Sequence, residues 1–180
     1  MIGELVREVF SHLCHQDPSR AWVLGGEPLA LCARCTGVYA GAALAALALP
    51  LVARFRPSAG VLWLHGAAML QMLGLGFNPF GEPAWLRMLS GSLFAAGAVY
   101  FLWLPVRARL WPEAAGGPRA HFAVAAGALL LLQLLLRIDS RVAGAAVECL
   151  ALAGLGLLAL LVAAGALALA VRLARRTQTA

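Results

Sequence analysis

Cys32-Ala33-Arg34-Cys35 is a C-x2-C pair at the threshold of a long apolar run, and Cys14-His15 lies upstream of it. Two thiolates at that spacing can grip one soft metal ion from a single turn, and Cys14 with His15 would complete a tetrahedral Cys3His set. Zinc is the expected occupant of such donors, with iron and copper as alternatives. The pair could instead work as a redox dithiol. A helix amino terminus and the charge of Arg34 both favour a thiolate, and Cys14 or Cys149 would then act as the resolving thiol while electrons pass to a quinone or a partner protein. On an oxidising face the four cysteines could also form two structural bridges in a disulfide-stapled subunit. Adjacent residues such as Cys14 and His15 need a turn to face one ion, so Glu148 or Cys149 could replace either of them as a ligand. Spacing alone leaves these uses open, and with them whether the protein is an enzyme.

The elements that must hold this cluster are read from hydropathy. Of 180 residues, 62% are apolar and 12% charged, more apolar surface than a soluble domain of this size could hide. Five windows, about 36–52, 59–77, 84–106, 120–136 and 142–171, are apolar enough to cross a hydrocarbon layer of about 30 Å, which takes roughly 20 helical residues. Helices are expected because a lipid-exposed segment must satisfy its own backbone, and the alternation of barrel strands is absent. The fold class is therefore an all-α polytopic membrane bundle of about five helices. Ile2, Leu5, Val6, Val9, Phe10 and Leu13 recur at helical spacing opposite Glu4, Arg7, Glu8, Ser11 and His12, which predicts an interfacial amphipathic helix. It should end near Cys14 and His15, ahead of Asp17-Pro18. Residues 18–31, with Gly25, Gly26 and Pro28, read as a loop or turn folded over the membrane surface.

One membrane domain is expected over residues 1–180: an interfacial Cys/His segment (1–35), the bundle (36–171) and a basic tail (172–180). The first residues lack the apolar core of a cleaved signal peptide, so the chain is expected to be retained whole. Gly37, Gly41 and Ala45 repeat every fourth residue, a small-residue face that lets helices approach closely.

All fourteen basic residues are Arg, against eight acids, and most sit between apolar windows, where they set topology rather than bind nucleic acid. With five crossings, one face receives Arg54, Arg56, Arg107, Arg109, Arg119, Arg172, Arg175 and Arg176. The cysteine face receives Arg7, Arg20, Arg34, Arg87, Arg137 and Arg141. Eight against six makes the first face cytoplasmic, with the carboxy terminus, and the Cys/His face extracytoplasmic in a multi-pass cell-membrane protein. The expected partners are the lipid bilayer and, in a homo-oligomer, further copies of the chain.

Other polar residues are assigned by the same reasoning. Arg20, Arg34, Asn78, Arg87, Glu148 and Cys149 fall on the cysteine face and could support the site, Arg87 by holding a carboxylate, an anion or a lipid phosphate. Gln71 and Gln133 read as interhelical hydrogen-bond donors, and His65 with Met69 and Met72 as packing rather than a ligand row. No hydrolase elbow, H-E-x-x-H pair or phosphate-binding glycine loop occurs.

The run Cys14-His15-Gln16, Pro18, Arg20, then Cys32, Arg34, Cys35, Gly37, Tyr39 and Gly41 resembles the small prokaryotic membrane proteins of domain of unknown function family 2085. That pattern reads C-H-Q-x-P-x-R-S, then C-x-R-C-x-G-I-Y-x-G, with Ala21 here for Ser and Val38 for Ile. His65-Gly66, Gln71, Asn78, Arg87, Ser90 and Gly91 follow the family's later positions more loosely, and the likeness covers roughly residues 10–100. The resemblance implies an integral membrane protein with a Cys/His site and supplies no established activity.

Overall fold

The computed structural model describes residues 2–52, 58–76, 83–110 and 118–178. Asn78 and Glu82, and Arg54, Arg56 and Glu113 of the opposite face, lie outside these residues.

Among the described residues the chain forms six α-helices and one two-stranded sheet: α1 Ile2–Phe10, β1 Ala21–Leu24, β2 Glu27–Cys32, α2 Ala33–Val52, α3 Ala59–Gly76, α4 Ala84–Leu110, α5 Pro118–Leu135 and α6 Arg141–Gln178. The helical membrane fold is as expected. By length and composition, three helices can cross a membrane, over 33–51, 84–107 and 141–171, and shorter apolar stretches lie at 59–74 and 125–135. At about 1.5 Å per residue, α6 with its 38 residues is roughly 57 Å long, well beyond the lipid core. Its first turns are therefore free to pack against α1 and both strands. The helix continues through 172–178, where a separate tail is expected from composition.

α2 is the hub, packed against α4, α5 and α6, while α3 packs on α4. The small-residue face explains why. A Cβ on Gly37 would strike the Met88 backbone, and one on Gly41 would lie 3.0 Å from Ser92 Cα, so α2 and α4 touch main chain to main chain. Gly154 of α6 meets the Tyr39 carbonyl in the same way. The outer faces are apolar and exposed, with Trp63 at 78% and Leu70, Leu134 and Leu160 beyond half, the opposite of a water-soluble surface.

Within the bundle, Gln71 Nε2 donates to the Ser90 carbonyl at 2.8 Å and Gln71 Oε1 accepts from Ser90 Oγ at 3.0 Å, the interhelical pairing its type predicts. Gln133 Nε2 is buried and makes no hydrogen bond among the described residues. His65 stacks on Tyr100 with ring centroids 4.2 Å apart and donates from Nδ1 to the Val61 carbonyl at 2.8 Å, as a packing residue does.

The segment 18–31, expected as a loop or turn over the membrane surface, is more regular than that. After a 3₁₀ turn at Pro18–Arg20, it folds into an antiparallel hairpin pairing Leu24 with Glu27 and Ala21 with Cys32. Gly25 and Gly26 have φ of +60° and +79°, the left-handed pair a two-residue I′ turn requires. The signal was present: a Gly-Gly between Ala-Trp-Val-Leu and Glu-Pro-Leu-Ala-Leu-Cys is a hairpin pattern.

Candidate metal centre

The hairpin turns the chain so that Cys32 ends β2 and Cys35 falls in the first turn of α2. Thr36 seals that junction, its hydroxyl donating to the Cys32 carbonyl at 3.1 Å. The third thiol arrives from α1. Val6 and Phe10 are fully buried with Leu31 and Ala151, and the Phe10 ring sits 4.7 Å from that of Tyr39 on α2. This packing seats the amphipathic helix on the bundle. Past Phe10 the helix unwinds, with the amide of Cys14 still donating to the Phe10 carbonyl at 2.9 Å, and Cys14 is left 7% exposed beside the strand end.

The sulfur atoms of Cys14, Cys32 and Cys35 all lie within 4.8 Å of one another. In a tetrahedral site with Zn–S near 2.3 Å, ligand sulfurs stand about 3.8 Å apart, so the three need only small rotations to share one ion. None of the four cysteines is in a disulfide.

Backbone amides are aimed at the sulfurs. Gln16 takes φ +51°, left-handed and uncommon for a residue with a side chain, and so turns its N–H onto Cys14 Sγ at 3.4 Å. Its side chain donates to the Arg7 carbonyl at 2.7 Å, closing the last turn of α1. The amide of Cys35 likewise points at the Cys32 sulfur. Such donors favour thiolate over thiol. Hydrogen bonds from the Cys32 and Cys35 thiols, helped by the amides of Cys32 and Gln16, outweigh burial and hold Cys14 far below the ordinary thiol range. Cys32 is pushed upward, chiefly because it donates to Cys14.

The other expected site residues fall elsewhere. His15 is exposed and is not among the donors that converge. Cys149 is exposed on α6, outside the group. Glu148 is a strut rather than a donor to the cluster: Oε1 accepts the amide of Ala30 in β2 at 2.9 Å, and Oε2 lies against Gly3 of α1. Arg141 pairs with Glu27 at 3.1 Å. Arg34 is half-buried between the two cysteines, its carbonyl packed against Gly91 of α4. Arg20 pairs with Asp17 at 3.2 Å, and Arg87 faces the 3₁₀ turn across a separate cavity. What sequence spacing missed is Gln16, whose side chain suggests nothing about a left-handed turn, and the partner of Glu148, which lies 118 residues away.

No solved structure matches the chain. The uncharacterized protein MJ1492 of Methanocaldococcus jannaschii is 37% identical over 107 residues, an alignment covering 54% of this chain and 65% of the relative, so the chain spans less than two thirds of that protein's length. The segment running from Cys14 through the hairpin, α2, α3 and most of α4, residues 14–101, matches the family described as Predicted membrane protein (DUF2085), the family that the CHQ and CARC motifs resemble.

Proposed function

We propose that Cys14, Cys32 and Cys35 bind a single metal ion, zinc by default and iron or copper by donor type, at the surface of a multi-pass membrane protein. The observation that carries this reading is the approach of three sulfurs to within 4.8 Å, from the turn after α1, the end of β2 and the start of α2, with backbone amides directed at two of them. Three thiolates leave a tetrahedral ion one position short, and with His15 turned outward that position is left to water or an incoming ligand, the arrangement of a reactive rather than a closed structural centre. The two-arginine excess on the far face supports an extracytoplasmic position for this centre. Full-length protein purified in detergent without chelator is expected to carry about one zinc per chain by elemental analysis, and Cys32→Ser to lose it. Absence of stoichiometric metal from the unaltered chain overturns the reading.

A second reading is favoured by the mutual approach of the three thiols. The Cys32–Cys35 dithiol would reduce a quinone to its quinol, two electrons and two protons leaving as the bridge forms; with a partner disulfide, Cys14 would form a mixed disulfide and expel one partner thiolate, Cys32 would attack Cys14 Sγ and expel the other, and Cys35 would then attack Cys32 Sγ and free Cys14. Differential alkylation separates the two: a reversible Cys32–Cys35 bridge supports redox work, whereas thiols protected until chelation support metal.

A further inference from the structure

A second polar site lies apart from the cysteines. A cavity of about 230 Å³ opens between the 3₁₀ turn and the amino-terminal end of α4, lined by Ser19, Arg20, Ala84 and Arg87. It has room for a group several times the ~30 Å³ that a water molecule occupies. Arg87 Nε is buried and makes no hydrogen bond among the described residues. The nearby carboxylate, Asp17, is committed within its own turn. Its Oδ1 accepts from the amide and hydroxyl of Ser19 at 2.9 and 2.7 Å, and its Oδ2 faces Arg20 Nε at 3.2 Å. The charge of Arg87 reaches Asp17 and helps to hold that carboxyl below its usual range, after the larger effects of Ser19 and Arg20. Among the described residues, one carboxylate thus stands against two guanidinium groups and the positive end of a 27-residue helix.

We propose that this cavity binds a phosphate group, with Arg87 as its bidentate anchor and Arg20 as an exposed arm that closes over it. Guanidinium geometry matches two oxygens of a phosphate, and the amino-terminal end of α4 adds positive potential. Trp85, exposed beside Arg87, is the residue type that settles at the headgroup level, so the phosphate would sit at that depth. Either the phosphodiester of an anionic lipid or a free phosphate presents this chemistry.

Full-length protein in a zwitterionic detergent is to be titrated calorimetrically with inorganic phosphate, and separately mixed with phosphatidylglycerol or phosphatidylcholine vesicles and scored for retained lipid by native mass spectrometry. A lipid site gives at least tenfold preference for phosphatidylglycerol and little response to inorganic phosphate; a soluble-anion site gives the reverse. Either preference should fall about tenfold in Arg87→Gln and several-fold in Arg20→Gln, with Arg87→Lys intermediate because it keeps charge without the fork. Helix content by circular dichroism checks that each variant is folded, and Arg20, exposed at the surface, supplies the test if Arg87→Gln does not fold. Failure of the unaltered protein to bind either probe, or binding by the double variant equal to that of the unaltered chain, overturns the proposal.

Discussion

Glu148 Oε1 accepts the backbone amide of Ala30 at 2.9 Å, joining the first turns of α6 to the strand that carries Cys32. The bond bridges 118 residues of chain and is half-buried, so its loss leaves an amide without a partner. Glu148→Ala should cost about 1–3 kcal/mol, while Glu148→Gln, which keeps an acceptor oxygen, should cost less. Thermal melts in detergent give the ranking, and faster alkylation of Cys14 in Glu148→Ala should accompany the loss. Equal melts for the two variants would remove the strut from the account.

The turn glycines separate two effects. Gly26 is left-handed with open space around its Cβ position, so Gly26→Ala should cost about 1–2 kcal/mol from backbone conformation alone. At Gly25 the added methyl would also lie 2.6 Å from the Arg141 amide nitrogen, and Gly25 donates its N–H to Asp139 at 2.5 Å. Gly25→Ala should therefore be the more damaging by a clear margin. A melt of Gly25→Ala as high as that of Gly26→Ala would show that the hairpin does not press on the α5–α6 corner.

The helix crossings yield a similar contrast. Gly37→Ala and Gly154→Ala force apart backbones already in contact and should lower stability by about 2 kcal/mol or more. Gly66→Ala and Gly156→Ala face open space within helices and should be neutral or stabilising by up to about 1 kcal/mol. Unfolding in mixed detergent ranks the four.

Removal of any metal should expose the charge of the thiol trio. Cys14 is depressed in the fold, so the folded chain holds fewer protons than the unfolded one between that low value and the ordinary thiol pKa of about 8.5. Stability from this group is present above that ordinary value and is lost as pH falls through the folded one. Cys32 is raised, so its contribution is present below the ordinary range and is lost as pH climbs past it. Chelated protein should thus show thiolate absorbance near 240 nm equivalent to about one group at pH 7, vanishing on denaturation, and should be most stable close to the ordinary thiol pKa. A flat stability profile together with no thiolate band would contradict the hydrogen-bonded trio.

His15 supplies the sharpest check on the ligand set. If three sulfurs hold the ion, His15→Ala should leave metal content within about twofold of the unaltered chain, while Cys14→Ser should lower affinity by at least the 10–100-fold typical even of a lost supporting group. Equal losses in the two variants would return the imidazole to the coordination sphere.

Much of this molecule is written in local pattern. Apolar run length calls for membrane helices because lipid supplies no partner to a bare backbone. The period of Ile2 to Leu13 lays an amphipathic helix at the interface, and Gly37, Gly41 and Ala45 mark the face where α2 meets its neighbours, since absent side chains admit close approach. The C-x2-C pair announces its own chemistry, two ligands in a single turn. Which further groups join it is settled by distance across the fold. Cys14 and His15 are neighbours in sequence, yet the packing of Phe10 on Tyr39 and the left-handed Gln16 turn one toward the cluster, while the other stays exposed. Glu148 and Ala30 likewise become partners only once a helix longer than the bilayer projects its first turns beneath the hairpin. Residue type and spacing determine what each segment can do; the tertiary structure decides which of them meet, because a contact between distant residues depends on every turn and packing surface between them.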